Sequence, residues 1–291
     1  MTTANPTGDQ IARVGLVASI ALIAWSASGP AARAGQAPSG GADVSVRIDG
    51  SNGVLPLAAA LRRGFEARYD GAEVVLGGGL DSRARLEALS RGSIDIALAS
   101  HGLNFEDLAR RGMTAHRIAL TPVVFAVHAD VPVRGLTARE LCDIYGGQVA
   151  NWSAFGGPDL GIRAFLRPES EVDTEIVRAN VRCMKELVVA GTVTRPETTQ
   201  DMRRALQDTS GAIGLTTSTV VRQSIVALRS LSLDGVAPTP ENVTGGKYLL
   251  ARPAYFVTTA SPLPPVRRFL EFVRSEPGAA IILDNGALPV P

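Results

Sequence analysis

Between Val44 and Ala99 the hydrophobic pattern changes period four times, and few folds accommodate that. Val44, Val46 and Ile48 alternate with Ser45, Arg47 and Asp49, the period of a strand with one buried face. Val54, Ala58, Leu61 and Phe65 then recur at helical spacing, with Arg62, Arg63, Glu66 and Arg68 on the other side. Gly71 stands where a helix takes a left-handed stop. A strand over Glu73–Leu76, the turn Gly77-Gly78-Gly79, a helix from Ser82 to about Arg91 closed by Gly92, and a strand over Ile94–Ala99 complete a β-α-β-α-β run. That order predicts a parallel sheet with helical crossovers. The turn Gly50-Ser51-Asn52-Gly53 lies between a strand and a helix start, where unpaired backbone N–H groups hold small anions or polar ligands. Binding is therefore indicated before any catalytic motif is sought.

A second α/β block follows. Asn104 is placed to cap a short helix over Phe105–Arg111, and an extended stretch covers Pro122–His128. Thr137-Ala138-Arg139-Glu140 has the capping-box form, opening a helix that ends near Gly146. Asn151-Trp152-Ser153 and a Gly156-Gly157-Pro158 turn precede a strand over Ile162–Leu166, then Arg167. A long helix is predicted from about Thr174 to Val189, and a strand over Gly211–Leu215. The tail holds a strand around Tyr255–Val257 and two helices, the last opening at Ser275-Glu276-Pro277. Two blocks joined by extended segments predict two lobes with a binding cleft between them. The tail has no sheet of its own, so it is expected to pack on the first lobe. The helix starts after Gly50, Gly79 and Arg167 are expected to face the cleft.

Net charge is +1, so no basic face for nucleic acid is implied. Of 29 basic residues only Lys185 and Lys247 are lysines, a bias that codon composition accounts for. The first 34 residues differ from the rest. Arg13, an apolar run from Val14 to Trp25 and the small-x-small sequence Ala32-Arg33-Ala34 fit a secretory signal. An uncleaved N-terminal anchor is the alternative. Residues 35–43 read as a flexible leader. Removing residues 1–34 takes away Arg13, Arg33 and Asp9 and leaves 27 basic and 27 acidic residues. Cys142 and Cys183 are the only cysteines, both expected on helices. Export permits a disulfide, and two buried free thiols are the alternative. No Cys/His spacing suggests a metal site, and His101, His116 and His128 are scattered.

Several short pieces occur in a telling order: Gly50-Ser51 with Val54-Leu55-Pro56-Leu57, Gly77-Gly78-Gly79 with Ser82, and Gly92-Ser93-Ile94-Asp95-Ile96-Ala97. Asn151-Trp152-Ser153 with Gly156-Gly157, Gly211-Ala212-Ile213-Gly214 and Arg252-Pro253-Ala254-Tyr255-Phe256-Val257 continue the series. From Val44 to its end the chain resembles the periplasmic phosphate-binding proteins that deliver ligand to ABC transporters. The resemblance implies a two-lobed α/β fold of the type II periplasmic binding proteins, each lobe a mixed, mostly parallel sheet flanked by helices. It places lobe 1 at 44–122 and 248–291, lobe 2 at 123–247, and hinge segments near 120–128 and 240–256. It further implies a periplasmic or secreted monomer that captures a small oxyanion, phosphate or a relative, and docks on an inner-membrane permease. No cofactor, metal or catalytic residue is implied. Carried over position by position, the ligand residues are Ser51 and Asn52 in the first turn, Ser82 at the second helix, His101 after the third strand, and Arg167 and Thr174 in the second lobe.

Two features depart from the family pattern. Val172 and Asp173 stand where Ser and Gly are usual, and Asp173 is expected to N-cap the helix at Thr174 and take up the amides that would hold an anion. Glu171 and Glu175 add negative charge there. Arg83 and Arg85, in the first turn of the second helix, are expected to be solvated; an anion in the cleft, or Glu171 or Glu175 across it, is the alternative partner. The altered turn keeps open an exported sensor or scaffold with changed or lost phosphate binding. A hydrolase using Ser82, His101 and Asp95 is a further alternative, but Ser82 lacks a G-x-S-x-G elbow.

Overall fold

The computed structural model describes residues 45–290. The expected signal sequence over 1–34, the expected leader over 35–43 and Val44 lie outside the described residues. The first block is β1 (Ser45–Gly50), α1 (Leu55–Arg68), β2 (Glu73–Leu76), α2 (Ser82–Ser90), β3 (Ile96–Ala99), α3 (Phe105–Arg110) and β4 (Met113–Val127). The second is β5 (Gly135–Leu136), α4 (Ala138–Tyr145), β6 (Arg163–Phe165), α5 (Val172–Asn180), α6 (Thr199–Asp208), β7 (Ala212–Thr217), α7 (Ser218–Gln223), β8 (Arg229–Ser230), β9 (Ser232–Leu233) and α8 (Pro240–Thr244). The chain returns through β10 (Ala251–Thr259), α9 (Pro264–Arg274), α10 (Glu276–Asp284) and β11 (Leu288–Pro289). No described helix is long and apolar enough to cross a membrane.

β1 pairs in parallel with β2 and β3, as the opening pattern requires. The mixed sheet runs in the order β2-β1-β3-β10-β4-β7-β6, with β10 antiparallel to both β3 and β4. β4 is a single strand of 15 residues with two sets of partners. Met113–Pro122 pairs with β10, and Val123–Val127 pairs with β7. Only its second part was predicted, because the mixed sequence from Met113 to Thr121 has no clean period of two. Its first part is nevertheless a strand, because the returning β10 supplies a full ladder of partners.

Three hydrophobic clusters form along this sheet. One joins Val46, Ile48, Leu61 and Phe65 to Phe256, Phe269 and Phe272, so the tail packs on the first block as expected. A second lies across the same sheet and gathers Leu86, Leu89, Ala97, Leu108 and Val257. The third is built from the second block, around Phe125, Tyr145, Trp152, Ile213 and Leu215. Each fully buried Phe or Leu in such a cluster contributes about 1.5–3 kcal/mol through removal from water.

Local signals held at several ends. Thr137 and Glu140 form the capping box of α4, Asn104 caps α3, Gly71 has φ +73°, and Ser275 caps α10 with proline in its first turn. The predicted Thr174–Val189 helix is corrected. α5 begins at Val172 and stops at Asn180, and a 3-10 turn follows at Arg182–Met184. Val181 turns extended to bury its side chain, and Arg178 satisfies the carbonyls of Met184 and Leu187 in place of a continued helix. Cys183 therefore lies on this turn rather than on a helix. It forms a disulfide with Cys142 of α4, with Cα atoms 6.2 Å apart, which decides between bridge and free thiols.

Candidate functional site

The turn after β1 is shaped by glycine. Gly50 has φ +138°, and a Cβ there would lie 2.4 Å from the Leu98 carbonyl oxygen, so only glycine lets β1 and β3 meet at this point. The Ser51 amide donates to that same carbonyl at 3.0 Å. Its hydroxyl lies 3.3 Å from that of Ser100, which in turn lies 3.4 Å from Nδ1 of His101. Ser82 is next to this group, its Oγ 3.3 Å from where a Cβ on Gly102 would be. Among the described residues the amides of Asn52 and Gly53 donate to no protein acceptor. The Asn52 side chain turns toward Gly79.

Two buried guanidinium groups, those of Arg85 and Arg252, reach this turn and the end of β3 beside it, and a third, that of Arg167, is buried against the start of α5. Arg85, on α2, is 1% exposed. Its Nη2 donates to the His101 carbonyl at 2.6 Å, and its Nε has no partner. No carboxylate lies within 4.0 Å of it among the described residues. Burial pulls this guanidinium below its usual pKa, and the more distant Asp81 acts the other way. Arg252, on β10, donates from Nη2 to the Gly53 carbonyl at 3.0 Å, and a Cβ on Gly53 would collide with its guanidinium. Arg167, after β6, donates from Nη1 to the Pro196 carbonyl at 2.8 Å.

The second-block wall is acidic. Asp173 Oδ1 lies 3.0 Å from Arg252 Nε, and Glu171 lies 3.1 Å from Arg167 Nη2. Both contacts are at ion-pair distance but lack hydrogen-bond alignment, so these nitrogens, like Arg85 Nε, keep unsatisfied donor capacity. The Thr174 hydroxyl donates to the Arg167 carbonyl at 3.0 Å, tying the start of α5 to β6. Burial first, then Arg85, hold His101 below its ordinary pKa, with Glu175 and Glu171 opposing. His101 thus feels charges from both walls.

Two expectations are corrected here. Asp173 does not cap α5: the helix starts earlier, its N-cap Glu171 makes no side-chain cap bond, and the Asp173 carboxylate turns to Arg252. The first amides of α5 are therefore not taken up by a side chain. Capping by a carboxylate occurs instead at α2, where Asp81 accepts from the Arg83 and Ala84 amides, which lowers its own pKa. Arg85 is not solvated but among the most buried side chains, whereas Arg83 is exposed and pairs with Glu87. The imagined Ser82–His101–Asp95 array is not assembled, because Asp95 is held in two hydrogen bonds by the Arg47 side chain.

Of the six predicted site residues, Ser51, Ser82 and His101 gather on one wall. Arg167 and Thr174 gather on the other. The Asp173–Arg252–Gly53 chain connects the two sets, and Asn52 points aside. Arg252 is a residue that the sequence reading missed, and Arg85 one that it preferred to place in solvent. The available signal was a lone arginine inside an otherwise apolar stretch, as in Leu249-Leu250-Ala251-Arg252-Pro253-Ala254. Among the described residues no group of three His, Cys, Asp or Glu side chains is placed to hold a metal ion.

The model of the PBP superfamily domain matches residues 29–277. The chain belongs to the PBP superfamily. Its relatives include the phosphate-binding protein PstS of Bacillus subtilis, 26% identical over 249 residues that cover 84% of this chain and 81% of the relative. Protein SphX of Synechococcus elongatus is 26% identical and is matched over 84% of this chain and 77% of its own. Among solved structures, a protein from Clostridium perfringens assigned as a phosphate ABC transporter substrate-binding protein, with bound phosphate, superposes with a TM-score of 0.69 at 25% identity. The match covers 85% of this chain and all of that one. The fold is the two-lobed α/β fold of these binding proteins, and the chain is a solute-binding member of the superfamily.

Proposed function

We propose that this chain is the solute-binding component of an ABC importer, exported from the cytoplasm, and that its cradle holds a small oxyanion of the phosphate class. One observation carries the ligand class: Arg85 is a buried cation with no carboxylate beside it. Burying an unpaired charge is costly, so such a group calls for a counter-ion. The misaligned donors of Arg167 and Arg252 support the same reading, as do the hydroxyls of Ser51 and Ser82 and the open amides at Asn52, Gly53 and the start of α5. The names of the relatives agree with it. Neutral His101 can donate to or accept from a ligand oxygen.

Lobe 1 would comprise 44–122 and 248–291 and lobe 2 123–247, with hinges near 120–128 and 240–256. The separate clusters of the two blocks support that division. Closure of the lobes over the ligand, followed by docking of the closed monomer on a permease, is the corresponding cycle.

The ion pairs of Arg167 and Arg252 favour a second reading, in which two of three cations are already neutralised and phosphate binding is weakened or replaced. Titration calorimetry with inorganic phosphate separates the two. Saturable one-to-one binding that is lost in Arg85→Met supports the first reading, and no binding to the unaltered chain overturns it.

A further inference from the structure

Beside the cradle, a groove of about 410 Å³ runs between the first and second blocks. None of the three cradle arginines lines it, and the two meet only at Asn52. One wall is the outer face of α1, with Leu55, Ala59 and Arg63; the other is formed by Gln200, Arg203 and Val220.

The cations here are unlike their sequence neighbours. Arg62 pairs with Glu66 and Arg204 with Asp201. No carboxylate lies within 4.0 Å of Arg63 or Arg203 among the described residues. Arg203 is half-buried; its Nη2 donates to Gln200 Oε1 at 2.6 Å, and its Nε is shielded from solvent without a partner. Leu55, Ala59 and Leu76 give the groove an apolar side, and Thr198, Thr199 and Gln223 are among its polar neighbours.

We propose that this groove is a second ligand site, for an organic anion that carries an apolar body. The acid group takes the Arg203 guanidinium, with Arg63 on the opposite wall, and the body lies on Leu55 and Ala59. Inorganic phosphate has no surface to offer the apolar part, so the two sites differ in chemistry. Because the walls come from both blocks, an occupant is bound only while they stand side by side, and it therefore favours that arrangement.

The full chain is titrated with naphthoate, whose own fluorescence reports its binding. Saturable one-to-one binding is expected. Arg203→Ala weakens it by about tenfold or more, the loss of a charged hydrogen bond. Ala59→Trp, which fills the groove and keeps Arg203, abolishes it. Both variants keep the thermal unfolding transition, and their response to inorganic phosphate stays within about twofold of the unaltered chain. The proposal is overturned by an absence of saturable binding, by unchanged affinity in either variant, or by one-for-one displacement of naphthoate by inorganic phosphate. A chain that ignores phosphate but binds naphthoate in this pattern would sink the reading of the cradle and leave the groove standing.

Discussion

The two walls of the cradle carry the same cation and treat it in opposite ways. On the first-block wall Arg85 is buried with a carbonyl and no carboxylate. On the second-block wall Arg167 has Glu171, and Arg252, which reaches that wall from β10, has Asp173. A neutralised guanidinium can be kept for structure alone, because the ion pair justifies its burial. An unpaired one has no such structural excuse. Under the proposed function, the contrast separates the cations that hold the fold from the one that would meet a ligand.

The comparison can be broken first at Arg252. Arg252→Met leaves Asp173 buried alone, and removing one partner of a buried pair costs about 3–5 kcal/mol. Urea unfolding without ligand should show that loss, and an unchanged midpoint would mean the pair contributes nothing to the fold.

The second test concerns how the acidic wall is held. Cys183 follows α5, which carries Asp173, and bridges back 41 residues to Cys142. A disulfide closing a loop of that size contributes about 2–4 kcal/mol. Reduction should lower the thermal midpoint, and ligand affinity should fall with it, if the staple is what fixes α5.

The sharpest test is Arg85→Met. The unliganded protein should lose no stability, since an apolar side chain of similar length replaces an unpaired cation. Phosphate affinity should fall by about 1.5–3 kcal/mol, the worth of a charged hydrogen bond. A large loss of unliganded stability would make Arg85 structural after all.

The smallest effect is in pH. Burial, aided by Arg85 and Arg274, holds His101 and His116 below their ordinary pKa. The unfolded chain then binds more protons between the folded pKa and about 6.5, so stability falls as pH drops through that window. His101→Gln should flatten the slope of thermal midpoint against pH between about 7 and 5, and an unaltered slope would place the titration elsewhere.

Much of this was legible from residues alone. The alternation at Val44–Asp49 and the helical spacing from Val54 fixed β1 and α1, because both report burial of one face. The β-α-β-α-β order gave the parallel pairing. The first half of β4 was not legible, since its partners in β10 lie 129 to 146 residues later and sequence period cannot show a partner. At the site, the hydroxyls and Arg167 came from resemblance, whereas the burial of Arg85 did not. Helical spacing cannot say which face of α2 a neighbouring strand will cover. Asp173 was misassigned for a related reason. An aspartate near a helix start is a good cap in isolation, but a buried arginine from a distant strand competes for it more strongly than two backbone amides.

That distant strand also sets an order of assembly. The Arg252 guanidinium reaches a turn 199 residues earlier in the chain. Contacts over such a span form after local ones, because their loop-closure entropy has to be offset first. A nascent chain can thus form β1, α1 and the acidic start of α5 before Arg252 is present. Under the proposed function, ligand capture then waits until β10 has been laid between β3 and β4, after every element that precedes it has been made.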